Sequence, residues 1–192
     1  MTNLLDRFWP EREKAVLVII DVQQRLVPSM SPDIYAGVRA TIDMLARGAG
    51  ELSLPILTTE QYPQGLGTTV SELQDYQGTE VVEKVSFGCC GEPRFLQRLR
   101  ELGRSQVIVV GMEAHVCVYQ TVLGLLENGY QVHLVRDAIC SRHKSDYLNA
   151  LDLAAAAGAV VTNAETVLFQ LLRTSVATEF KAVSALVKQR KR

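Results

Sequence analysis

Three side chains with complementary chemistry fall at or just beyond the ends of apolar runs. Asp21 closes "AVLVIID" (15–21), Lys84 lies at the end of "EVVEKV" (80–85), and Cys117 follows "QVIVVGM" (106–112) at the opening of a helical stretch. Each has a plain structural reading when taken alone: a strand-end Asp caps a turn, a Lys reaches solvent, and a Cys packs like a small hydrophobe. Together they make chemical sense. A thiol is a competent nucleophile only as thiolate, and its ordinary pKa is about 8.5. A helix N-terminus and a nearby ammonium favour the anion, and a carboxylate in reach can take the thiol proton and later pass it to a leaving group.

The remaining reactive side chains read differently. Cys89, Cys90 and Cys140 are taken as packing thiols, because four cysteines in a chain this long make no disulfide scaffold. Cys89 and Cys90 are adjacent rather than spaced C-x-x-C, and His115, His133 and His143 are the only histidines, so no zinc site is expected. His115 stands two residues before Cys117, but positions i and i+2 of a helix do not face each other, which disfavours a Cys–His dyad. It is kept, with Gln23, Tyr62 and Phe87, as a secondary candidate for lining a substrate pocket; a structural hydrogen bond or a subunit contact is the other reading of His115.

These residues must be positioned by the elements around them. Runs apolar on both faces at 15–21, 55–60, 80–85, 106–112, 131–138 and 159–163 suit buried parallel strands. Amphipathic stretches at 34–52, 93–102, 116–128 and 145–157 lie between them, and glycines in "ENGY" and "AAGA" end two of these before a strand. The alternation predicts an α/β fold: a doubly wound, mostly parallel six-stranded sheet with helices on both faces, in one domain spanning 1–192. The irregular stretch 61–79 interrupts it, and a loop of that length is more often functional than idle.

Composition bounds the partner. The chain has 192 residues, 20 Lys and Arg against 21 Asp and Glu, and a net charge of −1, so no basic field favours nucleic acid or a membrane surface. A small-molecule substrate is expected. The terminal "KQRKR" reads as a solvated helix end. The N-terminal "MTNLLDRFWPEREK" has no signal-peptide core and no run approaches the ~18 apolar residues of a membrane span, which predicts a cytoplasmic protein.

The stretches "VLVIIDVQQRL", "TTEQYPQGLG", "EKVSFG", "VVGMEAHVCVYQTVLGLLENGYQVHLVRDAICSR" and "AETVLFQLL" resemble, in this order, the isochorismatase-like (cysteine hydrolase) superfamily, and most closely its isochorismatase-domain-containing hydrolase branch. The resemblance implies Asp21 as general base, Lys84 as the cation stabilising thiolate and charged intermediates, and Cys117 as nucleophile. It also implies a non-proline cis peptide at Met112–Glu113, with the backbone N–H groups of Glu113 and Cys117 as oxyanion donors. Nicotinamidase members of the family bind a metal through an Asp and two His after the second strand; residues 58–79 contain no His, so neither metal nor other cofactor is expected. Members acting on an enol ether commonly carry glycine in place of the cysteine, so Cys117 points to acyl chemistry: hydrolysis of a small amide or ureide C–N bond through a thioester. An enol ether hydrolase and a catalytically idle scaffold stay open as alternatives. A homo-oligomer is also implied, with His115, the helix after Cys117 and the segment around Cys140 as candidate interface.

Overall fold

The computed structural model describes residues 5–76 and 81–189. Residues 190–192 of the basic C-terminal cluster, the first four residues, and 77–80 of the irregular stretch and third apolar run lie outside the described residues.

Six strands, β1 (Ala15–Ile20), β2 (Ile56–Gln61), β3 (Val81–Lys84), β4 (Gln106–Met112), β5 (Gln131–Cys140) and β6 (Val160–Thr162), form one sheet in the order β3-β2-β1-β4-β5-β6. Every strand pairing is parallel. The helices are α1 (Pro32–Glu51), α2 (Pro63–Leu66), α3 (Pro93–Leu102), α4 (Tyr119–Glu127), α5 (Lys144–Ala157), α6 (Ala164–Leu172) and α7 (Phe180–Gln189). The doubly wound α/β arrangement expected from the alternating runs is present. The chain winds outward from β1 through β2 to β3, then restarts at β4 on the other side of β1, so the carboxyl ends of β1 and β4 flank the point where strand order reverses. Crevices open at that point in sheets of this kind.

All six residues of β1 are buried, and their alternation divides the core. Ala15, Leu17 and Ile19 face a cluster with residues of α1, α6 and α7; Val16, Val18 and Ile20 face one built with α3, α4 and α5. Local chemistry sets the helix ends. Pro93 opens α3 while the Glu92 side chain accepts the Arg94 amide, and Gly158 ends α5 in the left-handed region at φ 109°. The expected single helix over 116–128 is instead a π turn at Ala114–Val118 followed by α4. Helices α6 and α7 were not separately legible in the period.

The irregular stretch after β2 is tied down rather than open. Gln23 bridges Thr69 antiparallel, the Gln24, Arg25 and Val70 amides donate to Thr68, Leu66 and Val22 carbonyls, and Glu60 Oε1 accepts both the amide and the hydroxyl of Thr69. Among the described residues, no helix is long and apolar enough to cross a membrane.

Candidate active site

The site begins where β1 stops. Asp21 takes a left-handed backbone, φ 51°, its amide donates to Thr59 O and its carbonyl accepts the Gln23 amide, which turns the carboxylate into the crevice side of the sheet. Gly111 on β4 permits the close approach beside it: at φ +121°, a Cβ there would lie 2.1 Å from Ile20 O. Strand β2 supplies the support. Leu57, Thr59 and Gln61 share one face by the period of two, and while Leu57 enters the core, Thr59 and Gln61 face the site. Thr59 Oγ1 donates to Asp21 Oδ1 at 2.7 Å.

Lys84, the last residue of β3, reaches across β2. Its Nζ lies 2.7 Å from Asp21 Oδ2, 2.9 Å from Gln61 Oε1, 2.9 Å from Phe87 O and 3.2 Å from Ser86 O. Both members of the Lys84–Asp21 pair have side chains at 0% exposure. An ammonium has three N–H donors, so these four acceptors use it fully. Gln61 Nε2 in turn donates to Val85 O, wrapping the segment after β3 around the ammonium.

Cys117 completes the group from the π turn, 6% exposed, where the charges of Asp21 and Lys84 both act on its thiol. Burial pushes its thiol well above the ordinary range, the Asp21 charge adds to that, and the Lys84 ammonium only partly opposes it. The lysine charge is engaged first by the Asp21 carboxylate. The Met112–Glu113 peptide bond is cis. Glu113 O accepts the amides of Val116 and Val118, on either side of Cys117, and the Glu113 carboxylate accepts the Arg142 amide and Nε.

The structure therefore brings Asp21, Lys84 and Cys117 together. Gln23 is fully buried, with its amide donating to Gln61 O and Gly67 O and accepting the Gln61 amide, which makes it a brace between the β1 and β2 ends. Tyr62 and Phe87 are 54% and 55% exposed at the rim. Their main chains belong to the site, since the Tyr62 amide donates to Lys84 O. His115 turns away: Nδ1 lies 3.0 Å from Ser141 Oγ and Nε2 3.8 Å from Asp146 Oδ2.

Sequence reasoning missed Thr59, Gln61, Thr121 and Cys89. The first two were signalled by the alternation of β2 once its buried face was known. Thr121 Oγ1 donates to Cys117 O and accepts the Cys89 amide. Cys89, expected only to pack, sits beside the ion pair with Sγ 3.7 Å from Thr59 Oγ1; burial and the Asp21 charge push its thiol up to about 11. Among the described residues, no group of three or more His, Cys, Asp and Glu side chains is placed to hold a metal ion.

A model of the isochorismatase domain matches residues 15–166, from β1 into α6. Isochorismatase family protein 1B of Dictyostelium discoideum is 34% identical over 185 residues, 93% of this chain and 88% of that protein. Isochorismatase domain-containing protein 1 of Salmo salar is 36% identical over 175 residues; the match covers 90% of this chain and 60% of that longer protein. The solved structure of MAR1 ribonuclease from Caenorhabditis elegans superposes with a TM-score of 0.87 at 34% identity, covering 94% of this chain and 92% of that one. Since the family match over residues 15–166 takes in Asp21, Lys84 and Cys117, this chain belongs to the isochorismatase family and is one of its hydrolases.

Proposed function

We propose that the protein is a cysteine-dependent hydrolase of a small amide or ureide C–N bond, acting through a thioester on Cys117. The observation that carries this reading is the buried Asp21 carboxylate, fixed by Thr59 Oγ1 and Lys84 Nζ, whose charge acts on the Cys117 thiol. Asp21 takes the thiol proton as sulfur attacks the substrate carbonyl, and the negative charge moves from carboxylate to sulfur to carbonyl oxygen. Lys84 stays a fixed countercharge throughout, because its donors are already used within the chain and none is free to bind substrate. The backbone N–H groups of Glu113 and Cys117 are the proposed donors to the oxyanion. The i→i+5 bond from Val118 to Glu113 O supports this, since it passes over the Cys117 amide. Asp21 then protonates the leaving amine, activates water against the thioester, and returns the proton to sulfur. Nothing in these steps calls for a cofactor.

Tyr62, Phe87 and Val85, the last 79% exposed, are apolar side chains on the segments just after β2 and β3, suited to contact a small planar substrate. A homo-oligomer with His115, the helix after Cys117 and the segment around Cys140 as its interface, one domain over 1–192 and a cytoplasmic location belong to the same proposal. Incubation with a panel of small amides and ureides, followed by intact-mass analysis, tests the chemistry. An acyl mass retained on Cys117, with turnover lost by several orders of magnitude in Cys117→Ala, is expected. Near-normal turnover in Cys117→Ala replaces this reading with enol ether hydrolysis, and an inert panel replaces it with the scaffold. An RNA oligonucleotide belongs in the panel because of the nematode neighbour's name, although the net charge of −1 gives RNA no general attraction.

A further inference from the structure

The mechanism leaves the buried thiol of Cys89 unused. Cys89 and Cys117 are tied together at two levels. In the backbone, one oxygen joins them: Thr121 Oγ1 accepts the Cys89 amide at 2.9 Å and donates to Cys117 O at 2.6 Å. In the side chains, Cys89 Sγ lies 3.7 Å from Thr59 Oγ1, and Thr59 Oγ1 lies 2.7 Å from Asp21 Oδ1, whose charge also acts on the Cys117 thiol. Both cysteines are in the core cluster on the same face of the sheet, whereas Cys140 is in the cluster on the other face. Cys90 points elsewhere: its Sγ packs over Gly124 of α4, where a Cβ would come within 3.0 Å of it.

We propose that Cys89 is the resolving cysteine for Cys117, so that hydrogen peroxide converts the pair into a reversible disulfide. The proposal rests on Cys117 as the nucleophile of the site. In the first step, the Cys117 sulfur attacks one peroxide oxygen, the O–O bond breaks, and Asp21 passes the thiol proton to the departing hydroxide. Cys117 becomes a sulfenic acid and one water forms; sulfur has lost the two electrons that the peroxide gained. In the second, the Cys89 sulfur attacks the Cys117 sulfur, the S–O bond breaks, and the hydroxide leaves with the Cys89 proton as a second water. A dithiol reductant reverses the product. An oxidised nucleophile with no resolving thiol continues to sulfinic acid, which is not recovered by thiols. The disulfide therefore protects the site while closing it.

The test needs no substrate, so its outcome is separate from that of the amide reading. The purified protein, fully reduced, is treated with hydrogen peroxide in modest excess and read by intact mass and peptide mapping. Loss of two hydrogens, about 2 Da, a cross-link between the peptides holding Cys89 and Cys117, and full reversal by dithiothreitol are expected. Cys90→Ser should cross-link as the parent does. Cys89→Ser should lose the cross-link about tenfold or more and gain sulfinic acid at Cys117 instead. Should Cys89→Ser fold poorly, dimedone added to the parent with the peroxide supplies the same information: it should cap Cys117 and suppress the cross-link. Direct conversion of Cys117 to sulfinic acid in the parent, or a cross-link through Cys90 or Cys140, overturns the proposal.

Discussion

Lys84 Nζ stands 2.7 Å from Asp21 Oδ2 with neither side chain exposed, so the two charges of the site are each other's principal compensation. Breaking such a pair from one side leaves an uncompensated buried charge, which costs about 3–5 kcal/mol. Lys84→Met and Asp21→Asn should each lower stability by that order. The double variant should lose clearly less than the sum, with a coupling above about 1.5 kcal/mol. Urea denaturation of the four proteins gives the cycle, and additive losses would show that the pair does not act as a unit.

The thiol of Cys117 is raised by burial and by Asp21, so its alkylation by a small electrophile should keep rising with pH through the ordinary thiol range. Asp21→Asn removes the negative charge that raises it and leaves the ammonium that lowers it. That variant should alkylate about tenfold faster at pH 9, while losing turnover because the base is gone. Site-resolved alkylation rates measure this; a parent protein whose rate levels off near pH 8 would contradict a raised thiol.

His133 on β5 is fully buried, neither ring nitrogen has a hydrogen-bond partner, and burial lowers its pKa from 6.5 to about 4. Between those values the unfolded chain binds a proton that the folded chain does not. Stability should therefore be full above pH 6.5 and fall as pH drops toward 4, by about 3 kcal/mol across the window. His133→Leu should flatten that part of the pH profile and match or exceed the parent at pH 7, because it removes two unsatisfied polar atoms. Unfolding curves from pH 7 to pH 4 decide it, with parallel profiles as the contrary result.

Gly111→Ala should be among the most damaging small substitutions. Its added carbon would meet Ile20 O at 2.1 Å and Ile20 N at 2.7 Å, both main-chain atoms of the central strand, at a φ that L residues rarely adopt. A loss above about 4 kcal/mol, or no folded protein, is expected. Gly37→Ala on α1 is the contrast: nothing lies within 4 Å of the added carbon, and alanine in a helix interior should stabilise by about 0.5–1 kcal/mol. Denaturation midpoints that rank the two the other way would overturn the close-approach account of Gly111.

The alternation of doubly apolar runs with amphipathic stretches determined the α/β class, the six strands and the strand ends that carry Asp21 and Lys84, because burial on both faces and a helical period are written in residue types along the chain. Cys117 was legible by its place after β4. Strand order was not, since nothing local says that β4 returns to the free side of β1, and that choice is what brings Cys117 to Asp21. The state of the thiol was beyond the sequence for the same reason. Charge at the sulfur depends on burial and on which partner stands nearest, and only the folded chain engages Lys84 with Asp21. Thr59, Gln61 and Cys89 entered the site by the same route: side chains from β2 and from the turn after β3, unremarkable in their own segments, become neighbours once parallel strands set their carboxyl ends side by side.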